Sequence, residues 1–241
     1  VKQSSILATI AVLSAATIAV AELPFADNFN RQNGAAGNGW STWGNGAELL
    51  DNELRTYGQN NVAGGVFRSY RVTPGEPIQF SFDIRTDLPA GGGWELELNS
   101  TTSTFTGVGN WDNGSRLALF RQYTGVDQVY YVVGSELVSS PTPAFPRLFA
   151  SAYSHISGEI LPDLSAVITI DHNDGGPIDT LTFASPGIDP LAVPQGDYLV
   201  LGNSSAYHGP HYFDNFVLTP EPTTAVLFIV AVTGILLKRR R

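Results

Sequence analysis

Two carboxylates one residue apart are the groups most able to do chemistry in this chain. In Trp94-Glu95-Leu96-Glu97-Leu98-Asn99, polar and apolar residues alternate. Alternation with a period of two marks a strand, so Glu95, Glu97 and Asn99 are expected on one face while Trp94, Leu96 and Leu98 pack inward. A pair of carboxyl groups lining a cleft can cleave a glycosidic bond, one as nucleophile or base and the other as acid. An amide cannot donate and recover a proton at neutral pH, so Asn99 can take neither role. The stripe therefore reads as ligand-contacting groups or as an ordinary solvated strand face. Hydrolysis through Glu95 and Glu97 stands as the alternative.

Other candidate groups are weaker. Trp40, Trp43 and Trp111 lie among Gly and Asn. Exposed there, an indole could stack on a sugar ring; equally, these side chains could plug the ends of a sandwich. Asp171-His172-Asn173-Asp174-Gly175 has Gly where an EF-hand loop needs its third oxygen ligand, and Thr182 where it needs a bidentate Glu. A hairpin turn is expected instead. His208 and His211 flank Gly209-Pro210, but no third ligand is set by spacing, and a surface loop is the plainer reading. There is no Gly-x-Ser-x-Gly, no phosphate loop and no cysteine. Thiol chemistry, thiolate metal sites and a disulfide framework are thereby excluded.

The elements that must position these groups read as strand after strand. Ile78 to Arg85 places Ile78, Phe80, Phe82 and Ile84 on one face and Gln79, Ser81, Asp83 and Arg85 on the other. Further strands are expected at 65–72, 94–98, 116–122, 128–133, 166–171, 180–183, 198–201 and 212–218. Turn signals separate them, among them Pro74-Gly75, Gly91-Gly92-Gly93 and Asn173-Asp174-Gly175-Gly176. Short runs of period two with this punctuation predict an all-β, antiparallel, two-sheet sandwich.

The two ends have a different character. Lys2 precedes an uncharged, largely apolar run from Ile6 to Val20, and Ala19-Val20-Ala21 forms an A-x-A site. Those are the three parts of a secretory signal peptide, expected as a helix over residues 1–21 and removed before Glu22. At the other end Pro220-Glu221-Pro222 precedes an uncharged run from Thr223 to Leu237, then Lys238, Arg239, Arg240 and Arg241. As a helix the run spans only about 22 Å, against a hydrocarbon core of roughly 30 Å. It predicts a marginal transmembrane helix whose basic end stays cytoplasmic. Residues 22–219 are left as the sandwich domain. That region holds 8 basic and 21 acidic side chains, a net charge of −13, and no lysine. An acidic surface argues against nucleic acid as a partner.

Three resemblances follow from these residues. The Pro220-Glu221-Pro222 triplet, apolar helix and basic end resemble a PEP-CTERM sorting signal. The resemblance implies recognition and removal of the tail by an exosortase-type membrane transpeptidase. Export through the Sec machinery and signal peptidase would come first, with a transient stay in the inner membrane and then release to the cell surface or extracellular matrix. Asp27-Asn28-Phe29-Asn30-Arg31 and Tyr212-Phe213-Asp214-Asn215-Phe216 resemble the opening and closing strands of concanavalin A-like lectin/glucanase (laminin G-like) jelly rolls. That implies two packed, curved sheets with the ends of the domain close together, and permits a structural Ca2+ whose ligands no spacing identifies. Trp94 to Asn99 is similar to the Glu-x-Asp-x-Glu strand of laminarinase-type glycoside hydrolases, with Asn99 at the position of the acid/base. The expectation is therefore a non-enzymatic exported sandwich with extracellular polysaccharide as a candidate ligand, or a structural, adhesive matrix component.

Overall fold

A computed structural model describes residues 24–44, 46–57, 64–86, 93–101, 116–122, 129–138, 152–203 and 210–220. All of them belong to one compact unit, Leu23–Glu221. The expected signal peptide, with Ala19 and Ala21, lies outside the described residues, as do Trp111, His208 and the tail from Glu221 through Pro222 to Arg241.

Among the described residues there are fifteen strands and no helix. They are β1 (Phe25–Asp27), β2 (Ser41–Gly44), β3 (Ala47–Leu50), β4 (Glu53–Thr56), β5 (Gly64–Ser69), β6 (Ile78–Thr86), β7 (Trp94–Ser100) and β8 (Ala118–Gln122). There follow β9 (Val129–Val133), β10 (Glu136–Val138), β11 (Ser154–Ile160), β12 (Ala166–Asp171), β13 (Asp179–Phe183), β14 (Tyr198–Asn203) and β15 (His211–Pro220). They form two antiparallel sheets. One has eight strands, in the order β13-β12-β11-β6-β15-β4-β3, with β1 also pairing β15. The other has seven, in the order β10-β9-β8-β7-β14-β5-β2. The two-sheet sandwich expected from the alternation is the fold observed.

The core between the sheets is aromatic. Phe82 of the eight-stranded sheet meets Trp94 of the seven-stranded sheet edge-on, with ring centres 5.3 Å apart. Phe80 meets Phe120 at 5.2 Å, and Phe120 stacks on Tyr131 at 4.7 Å. Each such ring buries a large apolar area, and Tyr131 also donates its hydroxyl to the Leu164 carbonyl at 2.9 Å, so no polar atom is stranded.

β6 shows why the pattern was readable: its burial alternates residue by residue, as the sequence does. β11 was not foreseen. Its inward positions are Ile156, Gly158 and Ile160, and the glycine interrupts the apolar period. The gap has a use. A Cβ on Gly158 would lie 2.3 Å from the Phe80 ring, so the ring takes the space a side chain would have filled. The turn between β12 and β13 is the hairpin expected around Asn173 to Gly176, with Ala166 opposite Phe183 and Ile170 opposite Asp179.

The two ends of the domain meet. Phe25, Ala26 and Asp27 of β1 pair with Leu218, Val217 and Phe216 of β15. Asp27 anchors this junction. It is 4% exposed and accepts hydrogen bonds from Arg31 Nη1 (2.6 Å), the Phe29 N–H (2.8 Å), Trp40 Nε1 (2.9 Å) and Asn38 Nδ2 (3.0 Å). Burial alone would raise its pKa. The donors from Arg31, Asn38, Phe29 and Trp40 outweigh that and hold the carboxyl below the ordinary value of 3.8.

A group with a depressed folded pKa stabilises the fold above its unfolded pKa, and that contribution is lost as pH falls through the folded value. Asp27→Ala leaves several buried donors unpaired and should lower the unfolding free energy by about 3 kcal/mol. Asp27→Asn should also flatten the loss of stability below pH 3.8, read by denaturant melts across acidic pH.

Candidate functional site

β7 is buried along its whole length. Trp94, Leu96 and Leu98 face the core, as expected. Glu95 and Glu97 lie on the opposite face of the sheet, yet they are only 0% and 2% exposed. Neither lines an open cleft.

Their partners come from the next strand and the residues leading into it. Glu95 sits directly opposite Arg121 of β8. Arg121 donates from Nε to Glu95 Oε2 at 2.7 Å, and its Nη2 closes on the same oxygen. Arg116 Nε lies 3.5 Å from Glu97 Oε2, with both side chains 2% exposed. Burial raises the pKa of the Glu95 carboxyl; the Arg121 charge opposes this, and the Glu97 charge adds to it.

A retaining or inverting hydrolase needs two carboxyl groups across a space that holds a sugar and a water. Here each carboxylate is sealed against a guanidinium. Glu95 and Glu97 are ion-pair partners within the sheet, and the hydrolytic alternative at this strand falls with that geometry. The reading of the same strand as a solvated or ligand-contacting stripe is corrected for the same reason.

Asn99 departs furthest from expectation. Ser100 pairs with Tyr198 and Glu97 with Val200, so Leu98 and Asn99 together oppose Leu199 in a β-bulge. Asn99 sits at φ 51°, a left-handed conformation that Asn tolerates better than most residues. The bulge takes its side chain off the Glu95–Glu97 face. It accepts from the Val72 N–H at 2.8 Å and donates to the Val72 carbonyl at 2.7 Å and to Gln195 Oε1 at 2.7 Å. Its own carbonyl accepts the Gly196 N–H at 3.0 Å. Asn99 ties three chain segments together.

The tryptophans described here are internal too. Trp40 is 7% exposed, bonds Asp27, and packs against Phe25, Phe29 and Phe216. Trp43 is 4% exposed and lies over Gly65 and Gly202 on the outer face of the seven-stranded sheet. Those glycines leave it the room: a Cβ on either would come within about 3.0 Å of the indole. Stacking on a sugar ring is not open to either indole in this arrangement. His211, expected in a surface loop, is fully buried at the start of β15. It shares an inward-facing parity with Phe213, which the Gly209-Pro210 context concealed.

One group of residues has the membership of a catalytic triad without its geometry. Ser154 Oγ lies 3.0 Å from His172 Nδ1, and His172 Nε2 lies 3.8 Å from Asp179 Oδ2. Ser154 is fully buried, so no substrate carbonyl can reach it, and 3.8 Å is too long for the orienting hydrogen bond. Among the described residues no group of three or more His, Cys, Asp or Glu is placed to hold a metal ion.

No protein-family model and no curated protein matches this chain. Solved structures of lectins share its fold. It is similar to lectin II from Ulex europaeus, at 12% identity and a TM-score of 0.58, covering 84% of this chain and all of that one. A seed lectin of Lotus tetragonolobus also gives 0.58, at 10% identity over 83% of this chain and all of that one. The exoplasmic/lumenal domain of VIP36 in its Ca2+/Man2-bound form gives 0.54, at 10% identity over 82% of this chain and 87% of that one. At these identities the likeness shows the fold alone: a concanavalin A-like sandwich of the legume and L-type lectin kind.

Removing one partner of a buried ion pair leaves the other uncompensated. Glu95→Ala should therefore cost about 3–5 kcal/mol of stability, measured by urea unfolding. The double variant Glu95→Leu with Arg121→Met should recover most of it, because an apolar pair of similar volume needs no compensating charge.

Proposed function

We propose that the chain is an exported, non-catalytic carbohydrate-binding β-sandwich, sorted to the cell surface or extracellular matrix. One observation carries the binding part: the likeness to lectin folds over more than four-fifths of the chain. The structures it resembles include a UEA-II lectin complexed with galactose and VIP36 with Ca2+ and Man2. The sealed ion pairs at Glu95 and Glu97 favour binding over hydrolysis, since neither carboxylate can reach a bound sugar.

The sorting part is supported by the two ends of the sequence. The signal peptide over 1–21 directs the chain to the Sec machinery and signal peptidase, and the PEP-CTERM signal over 220–241 hands it to an exosortase-type transpeptidase. The inner membrane holds it in between, with Lys238 to Arg241 on the cytoplasmic side. Extracellular polysaccharide is the natural ligand for a lectin-like sandwich delivered there. A fold of this kind hosts many activities, so the sugar itself is set by side chains and not by the backbone.

Affinity electrophoresis with the producing cell's exopolysaccharide, together with a glycan array, tests the binding. Retention that EGTA abolishes would add a structural Ca2+ to the reading. Retention on no glycan would overturn it and leave a structural or adhesive matrix role. Replacing Pro220-Glu221-Pro222 by alanines should leave unprocessed protein in the inner membrane, read by mass and fractionation. Mature protein of unchanged mass at the surface would overturn the sorting part.

A further inference from the structure

The outer face of the eight-stranded sheet carries a groove that the sequence did not reveal. It runs across β15, β6, β11 and β12 and encloses about 430 Å³. That is within the range of roughly 300–1,000 Å³ over which small-molecule sites form. Its polar lining comes from two adjacent rows of the sheet: Ser81, Ser157 and Thr169 in one, Gln79, Glu159 and Thr219 in the other. Val217, 36% exposed, and Val167 add apolar surface at the sides. No lysine or arginine lines the groove.

Acids outnumber basic groups around it, His155 being the one basic side chain among the residues that line it. Glu159 lies in the groove. At the other end His155 Nδ1 is 2.6 Å from Asp83 Oδ1, and Asn215 Nδ2 donates to Asp83 Oδ2 at 2.7 Å. Register places Asp214 and Asp171 in the same row, beside Asp83 and His155 respectively. The first cation beyond that row, Arg85, is held by Glu53 at 2.7 Å and lies over the Tyr212 ring. Glu159 and Asp83 are separated by four residues along the strands, about 13 Å at 3.3 Å per residue. An extended short oligomer can reach from Glu159 to the acidic row around Asp83, whose own oxygens are held by His155 and Asn215.

We propose that this groove binds an amino-sugar oligosaccharide through its free, protonated amines. The inference rests on the carbohydrate-binding reading above and specifies the sugar. Hydroxyls on Ser81 and Thr219, and on Ser157 and Thr169, which bond each other at 2.6 Å and keep capacity for a further partner, can donate and accept, which matches the hydroxyls of a sugar. Glu159 supplies the anion that an ammonium group needs, and Asp171 and Asp214, in the row beyond the groove, add to the negative field. An N-acetylated sugar loses that charge and gains bulk. An anionic glycan meets only repulsion.

The test compares binding of a fully deacetylated glucosamine oligomer with its N-acetylated counterpart. Full-length protein and the variants Glu159→Gln and Ser157→Trp are titrated, and thermal melts confirm that both variants fold. The expected result is tighter binding of the deacetylated oligomer, weakened about tenfold by Glu159→Gln and by raised salt, and abolished by Ser157→Trp. Equal binding of both oligomers, or binding indifferent to both variants, overturns the inference. Binding only of neutral glycans also overturns it while leaving the carbohydrate reading intact. Binding of no glycan at all removes both.

Discussion

A shortage of positive charge governs this structure. The sandwich holds eight arginines and no lysine against 21 acids. Every arginine among the described residues is engaged within the fold. Arg31 holds Asp27, Arg55 and Arg71 lie beside Glu48 and Asp197, and Arg85 holds Glu53. Arg116 and Arg121 neutralise Glu97 and Glu95. Arg68 lies over the Phe25 ring and donates to the Asn38 carbonyl. A buried carboxylate is tolerable only when paired, so the cations are drawn to the acids that folding has taken out of water. The remaining acids stay at the surface, and that is why acids outnumber basic groups around the groove on the eight-stranded sheet.

The same constraint separates chemistry from architecture at β7. Two glutamates in alternation suggest a hydrolase until their surroundings are known. A catalytic carboxylate needs solvent or substrate on one side and a tuned pKa. Glu95 has the raised pKa, but the cause is burial with an arginine across the sheet, which also bars access. A perturbed carboxyl is a sign of function only where something can reach it.

How much of this was legible in the sequence depended on whether the cause was local. The alternation of β6 and the β12–β13 hairpin follow from residues read in order, and the meeting of the domain's two ends, Phe25 to Asp27 on β15, follows from the resemblance of those ends to opening and closing strands. The sealed pairs do not. Glu95 and Arg121 are 26 residues apart, and only the register of β7 with β8 brings them together. The Asn99 bulge depends on Val72 and Gln195, which are 27 and 96 residues away. Trp40 reads as a loop indole because its partner Asp27 is 13 residues upstream. β11 is hidden by Gly158, whose reason is a ring on a neighbouring strand.

The two outer faces of the sandwich are therefore differently committed. On the seven-stranded sheet, Trp43 lies on two glycines, Val200 packs beneath Phe67 and Tyr198, and the glutamates are locked to arginines. Each of those side chains is needed where it is, so substitution there is first of all a stability event. On the eight-stranded sheet, β6, β11, β12 and β15 present small hydroxyl and amide side chains over a core that is complete without them. Residues there can change at little cost to folding, within about 0.5 kcal/mol for ordinary surface substitutions. A surface so free to vary could have been filled by the long charged side chains usual on an exposed sheet. Instead it forms a depression, framed at one end by Glu159 and at the other by the Asp83–His155 pair. Ligand selection acts most freely where folding asks least, and in this molecule that is the face opposite the buried glutamates.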